Sequence, residues 1–222
     1  MLLAIDTATR QVSLALHDGV SVIAETSWRT GDYHSVELAP QTALLLRRAN
    51  VDPARLAGLA VAIGPGSYTA LRIGLGLAKG LALAHNLPLC GVPTFDILMK
   101  AQPPAEGKAW GILQAGRRRI LAAAYRWQGP GGWELDSEAH VLEWAMLAEV
   151  LAAEAGAPAF ICGEIDETGH EALRRLKDRV ILASPAQSMR RAGYLAELGW
   201  ERLRQNRMDS AATLAPIYAG QP

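Results

Sequence analysis

Apolar and polar residues alternate through the opening of the chain, the period of strands rather than of a helix. Residues 2–6 are apolar up to a closing carboxylate, residues 12–17 alternate, Asp18-Gly19 makes a hairpin turn, and residues 20–28 continue as a third strand. Past a polar loop through Gly31 and Asp32, residues 34–50 carry Val36, Ala39, Ala43 and Leu46 at helical spacing, and Leu38 and Leu45 widen that stripe beyond one side. Residues 56–63 read as a buried strand, the turn Gly64-Pro65-Gly66-Ser67 follows, and a helix over about 69–85 leads to a strand over 87–92. Strand, helix, strand in that order implies parallel pairing through a right-handed crossover, so the pattern predicts an α/β sheet with a mixed edge.

Pro103, Pro104 and Gly107 suit a linker, dividing the chain into halves at 1–102 and 103–222. The second half opens with a hairpin, strands over 109–113 and 120–127, and a turn at 129–132. Helices over about 142–155, 168–177 and 189–207 then alternate with strands at 159–162 and 180–182, so this half is α/β as well. No sequence repeat links the halves, although paired strands open both, near residues 2 and 109.

Length and composition narrow the function classes. At 222 residues, half of them hydrophobic, the chain can bury one large core or two compact ones, and it carries no polar tract that argues for disorder. The 22 basic and 22 acidic side chains cancel, leaving no electrostatic footprint for gripping a phosphate backbone unaided. The basic run Arg117, Arg118, Arg119 fits either an RNA contact or a solvated turn. Cys90 and Cys162 sit in apolar strands without C-x-x-C spacing and read as buried thiols in a reducing compartment. With neither a leader-like start nor an apolar run of roughly 18 residues, the expectation is a cytoplasmic chain with no membrane contact.

Two stretches carry candidate chemistry. Asp6, Thr7 and Thr9 place a carboxylate and two hydroxyls where the first strand turns into the second, which suits a metal or phosphate site and equally an Asx turn. In the run from Gly64 to Arg72, Gly64 and Gly66 permit close approach, and Ser67 or Thr69 can cap the following helix, leaving its N-terminal amides free for an anion. The spacing matches neither a Walker A loop nor G-x-G-x-x-G, so a plain strand-to-helix turn is the other reading. Gly74, Gly76 and Gly80 interrupt the helix at a cost of roughly 1 kcal/mol each against Ala, which asks for a close neighbour, either inside the chain or on a partner subunit.

No catalytic or metal constellation emerges. His17, His34, His85, His140 and His170 include no pair four residues apart; His34, at a helix start, is the one best placed for function, with a capping or surface role as its other reading. Neither cysteine has an obvious neighbouring base, and there is no G-x-S-x-G elbow.

Taken together, Ala4-Ile5-Asp6-Thr7-Ala8-Thr9, then His34-Ser35 with Leu38 and Pro40, then Gly64-Pro65-Gly66-Ser67-Tyr68-Thr69-Ala70-Leu71-Arg72-Ile73-Gly74 with the run 78–82, resemble the TsaB (YeaZ) family over about the first hundred residues. The resemblance implies an actin-like ATPase (ASKHA, ribonuclease H-like) fold in two α/β lobes. It implies a non-catalytic subunit that scaffolds and activates the larger paralogue TsaD, which transfers threonylcarbamoyl to adenosine next to the anticodon of tRNA. The expected partners are a TsaD-type paralogue, a TsaE-type ATPase through the complex, tRNA indirectly, and a second copy of the chain through the same face. The implied interface is His34, Val36, Ala39 and Ala43 on the first helix with Leu71, Gly74, Leu75 and Ala78 on the second, so Leu75→Glu or Ala78→Arg is expected to abolish pairing in a folded monomer. Thr94 and Leu98 stand where TsaD carries its metal-binding histidines.

The likeness weakens after residue 102, where Gln114-Ala115-Gly116-Arg117 replaces the usual Asp-Ala-Arg, and Ala70 stands where Gly is common; only the closing Leu214-Ala215-Pro216-Ile217-Tyr218 matches again. No metal and no obligatory cofactor is expected. The rival reading is an ATP-dependent small-molecule kinase of the same fold, holding nucleotide through Asp6, Thr7, Thr9, Gly64, Gly66 and Ser67. A glycoprotease-like metallopeptidase is disfavoured because that chemistry needs a metal to activate water.

Overall fold

The computed structural model describes residues 1–31, 33–116 and 118–218, so Asp32 of the polar loop and Arg117 of the basic run lie outside the described residues. In chain order the elements are β1 (Leu2–Asp6), β2 (Gln11–His17), β3 (Val22–Arg29), α1 (His34–Arg48), β4 (Gly58–Gly64), α2 (Tyr68–His85), β5 (Leu89–Pro93) and α3 (Thr94–Lys100). These are followed by β6 (Ala109–Gln114), β7 (Arg119–Trp127), β8 (Trp133–Glu143), α4 (Trp144–Ala153), β9 (Ala159–Gly163), α5 (Glu167–Arg174), β10 (Val180–Leu182) and α6 (Ala192–Arg204). The chain forms two compact units, one of Met1–Ile97 with Arg190–Tyr218, the other of Leu98–Met189.

In the first unit the strand order is β3-β2-β1-β4-β5. β1 pairs antiparallel with β2 and parallel with β4, and β4 pairs parallel with β5, as the meander and crossover predict. β1 and β4 are buried on both faces and their alternation divides two cores. Leu3, Ile5, Leu14, Leu16, Val61 and Ile63 cluster with Leu38, Leu45 and Leu46 of α1 and Leu75, Ala78 and Ala82 of α2. Leu2, Ala4, Ala15, Ala60 and Ala62 face the other way and meet Ala192, Leu195 and Ala196 of α6. Each buried leucine contributes about 1.5–3 kcal/mol relative to exposure. The alanines let α6 lie close: a Cβ on Gly199 would stand 2.7 Å from that of Ala60.

Residues 190–218, which the sequence reading groups with the second half, thus belong to the first unit. The segment brings the apolar stripe that this face needs. Its tail is held by backbone bonds, Asp209 N–H to Leu89 C=O at 2.8 Å and Ile217 N–H to Ile63 C=O at 2.7 Å. The Asp209 carboxylate also accepts from Gly91 N–H at 2.8 Å.

The second unit repeats the same plan, β8-β7-β6-β9-β10, with β6 antiparallel to β7 and parallel to β9. Trp110, Ile112, Ile120 and Ile161 form its core with Trp144, Leu147 and Leu151 of α4 and Leu173 of α5. Neither β8 nor α3 is anticipated by periodicity. β8 is an edge strand whose residues are mostly exposed, so it lacks the apolar run that would announce it. α3 has only seven residues and follows β5 without a loop.

Candidate functional site

The β1–β2 turn brings Asp6, Thr7 and Thr9 together, and all three are buried. Asp6 Oδ1 accepts from Ala8 N–H at 2.9 Å, the Asx turn, while Oδ2 accepts from Arg190 Nε at 3.0 Å. Arg190 Nη2 also donates to Thr9 Oγ1 at 2.7 Å and to the Gln11 carbonyl at 3.3 Å. Thr7 Oγ1 donates to the Ala70 carbonyl at 2.7 Å. The acceptors expected to hold metal or phosphate are therefore engaged by the chain itself, and Arg190, 1% exposed, is the cation among them.

The glycine turn is filled in the same manner. Gly64 has φ +115°, a conformation glycine alone adopts readily, and a Cβ there would overlap the Ile217 carbonyl. A Cβ on Gly66 would overlap the Ala8 carbonyl, which accepts from Ser67 N–H at 2.7 Å. Ser67 occupies the N-cap position of α2 but its hydroxyl makes no capping bond, and Asn86 at φ 50° ends the helix. His34, 7% exposed, donates from Nε2 to the Thr9 carbonyl at 2.9 Å and so pins the start of α1 to the same turn.

The interface expected from the resemblance divides in two. Val36, Ala39 and Ala43 of α1 are exposed, whereas His34 of α1 and Leu71, Gly74, Leu75 and Ala78 of α2 are buried and so leave the interface. The sequence of α2 is apolar nearly all round and does not distinguish its faces, and the burial corrects the choice: charge at Leu75 or Ala78 would disrupt the core instead of testing a surface. The outward stripe is Arg72, Gly76, Gly80 and Leu83, the last 74% exposed. The glycines likewise separate. Gly74 is required inside the chain, because a Cβ would overlap Thr7 Oγ1, while among the described residues a Cβ on Gly76 or Gly80 meets no packed neighbour within 4 Å.

At the head of this stripe Tyr68 stacks on Tyr218 with ring centroids 4.9 Å apart. Arg72 lies 3.9 Å over the Tyr68 ring and donates from Nε to the Tyr218 hydroxyl at 2.9 Å, which holds its guanidinium above the ordinary pKa. Sequence reasoning missed this cluster and Arg190, because both join residues far apart in the chain. Thr94 and Leu98 are buried. Among the described residues no group of three or more His, Cys, Asp or Glu is placed to hold a metal ion, and no helix is long and apolar enough to cross a membrane.

Two α/β units with the same strand order define an actin-like ATPase fold. Ethanolamine utilization protein EutJ from Carboxydothermus hydrogenoformans shares it at a TM-score of 0.54, with 14% identity over 87% of this chain and 88% of that one. The model of the TsaD family, tRNA N6-adenosine threonylcarbamoyltransferase, matches residues 28–218. YeaZ from Pseudomonas aeruginosa superposes at a TM-score of 0.77 with 25% identity over 98% of both chains. The tRNA threonylcarbamoyladenosine biosynthesis protein TsaB of Bacillus subtilis (strain 168) is 34% identical over 127 residues, 57% of this chain and 56% of that protein. The chain belongs to the family that this model describes, on its TsaB/YeaZ side. Its match spans about half the length of the curated TsaB proteins.

Proposed function

We propose that the chain is a non-catalytic subunit in the synthesis of threonylcarbamoyladenosine on tRNA, docking a TsaD-type paralogue on the exposed faces of α1 and α2. One observation carries the docking face. Gly76 and Gly80 cost helix stability, and among the described residues no packed neighbour comes within 4 Å of a Cβ placed on either. On α1, which packs with α2, Val36, 69% exposed, with Ala39 and Ala43, adds small apolar side chains on which another helix pair can pack closely. The names of the relatives supply the pathway, and the match to the TsaD model supports a paralogous partner.

The kinase reading requires Asp6, Thr7 and Thr9 to meet a metal-bound phosphate, and their engagement by Arg190, Ala70 and Ala8 weighs against it. Light scattering after size exclusion, with the TsaD-type paralogue from the same cell, tests the docking face. The parent chain is expected to form a mixed complex, and Gly80→Arg combined with Val36→Glu, both at open positions, to abolish it while leaving the circular dichroism spectrum unchanged. Undiminished pairing by that folded variant would remove the face from consideration. A parent chain that forms only homodimers would assign the face to self-association instead.

A further inference from the structure

Asp6 Oδ2, Thr9 Oγ1 and the Gln11 carbonyl face one guanidinium, the first accepting from its Nε and the other two from its Nη2, and that group comes from 184 residues beyond Asp6 along the chain. Three oxygen acceptors, one of them anionic, are a donor set for a cation, and the actin-like fold implies metal-bound nucleotide at such a hairpin. The residues present do not fit that group: the charge is already neutralised, the ion pair is 1% exposed on both sides, and Thr7 and Ala8 are turned to other partners. We propose that Arg190 is a built-in cation that closes the Asp6 turn to metal and phosphate, and that the turn remains a cation site which opens once that side chain is removed.

The physical case rests on what else could hold Arg190 there. A buried ion pair contributes little net stability compared with a well-packed apolar pair, because desolvation offsets the attraction, so packing alone gives no reason for a guanidinium at this depth. A buried carboxylate without a counterion is the costly state. Once Asp6 occupies the turn, some cation must accompany it, and Arg190 supplies one that cannot dissociate. Just after it, at the start of α6, Ala192 N–H donates to Ser13 Oγ at 2.9 Å and Gly193 N–H to Glu25 at 2.8 Å, so the residue that fills the site lies two positions before a helix start tied to the same sheet.

Thermal midpoints of the full chain test this with guanidinium chloride at 10 mM and with manganese chloride, each against sodium chloride of equal ionic strength. Arg190→Ala is expected to unfold at a lower temperature than the parent. Guanidinium about tenfold above its dissociation constant should raise that midpoint by about 3 °C, as binding confined to the folded state requires. Neither the parent nor Asp6→Asn combined with Arg190→Ala should respond. A folded Arg190→Ala that answers to neither cation overturns the proposal, as does Asp6-dependent binding of manganese by the parent. If Arg190→Ala does not fold, the double variant decides: recovery of the fold supports charge neutralisation as the role of Arg190, and failure assigns Arg190 to packing.

Discussion

Three glycines within one helix should answer an alanine substitution with opposite signs. At Gly76 and Gly80 the new methyl enters open space on an exposed face, so only the backbone term remains, a gain of roughly 1 kcal/mol in helix propensity at each site. For a chain of this size that raises the thermal midpoint by about 2–4 °C per substitution. At Gly74 the Cβ would overlap Thr7 Oγ1 and come within 3.2 Å of Thr7 Cγ2. Thr7 must then rotate, breaking its 2.7 Å bond to the Ala70 carbonyl in a fully buried place. A lost buried hydrogen bond at about 2 kcal/mol and overpacking at about 2 kcal/mol outweigh the propensity gain, leaving a net loss of about 3 kcal/mol. Denaturation of the isolated variants by heat and by urea reads both effects. Stabilisation by Gly74→Ala, or destabilisation by Gly76→Ala and Gly80→Ala together, would refute the assignment of buried and open faces. The open-face variants carry a second signature: if a partner helix packs there, they should gain stability alone and lose affinity for the paralogue.

Two other expectations concern ionisable groups. Burial pushes the Cys90 thiol up to about 11 and the Cys162 thiol up to about 12, so at pH 8 a disulfide reagent should label both only after denaturation, and prompt reaction of either in the native protein contradicts their placement. Lys108, 3.0 Å from Asp136, and Arg126, 3.2 Å away, hold the Asp136 carboxyl below its usual 3.8. A carboxyl whose folded pKa is depressed stabilises above its unfolded pKa and loses that contribution as pH falls through the folded value. Asp136 is partly exposed, so the contribution is small, about 0.5 kcal/mol. Asp136→Asn should narrow the stability gap between pH 6 and pH 3, and an unchanged acid limb would dismiss the pair as a contributor.

What the sequence disclosed follows from which interactions are local. Alternation along 2–28 and the Asp18-Gly19 turn determine each other within a few residues, and the meander forms as read. The apolar stripe of α1 likewise identifies a helix, although it does not say which exposed residues lack a neighbour. α2 is apolar nearly all round, and such a helix conceals its core-facing side until its sheet is known; hence the reversal at Leu71, Gly74, Leu75 and Ala78. Arg190 falls inside the helical stretch 189–207 with nothing local to set it apart. Its meaning comes entirely from Asp6, 184 residues earlier, and no local pattern encodes that separation. The recurrence of the strand plan in both units was legible only as a faint likeness of openings at residues 2 and 109, because pairing order is set by packing rather than by identical side chains.

The first unit is discontinuous, and this bears on how the chain is made. While residues 98–189 are being synthesised, about 5–20 s at ordinary translation rates, β1 and β4 have left the ribosome with Leu2, Ala4, Ala60 and Ala62 awaiting α6. The contiguous second unit can complete its sheet first. A nascent chain stalled shortly before residue 190 should therefore present an uncovered apolar sheet to chaperones, and that hazard ends only when α6 emerges.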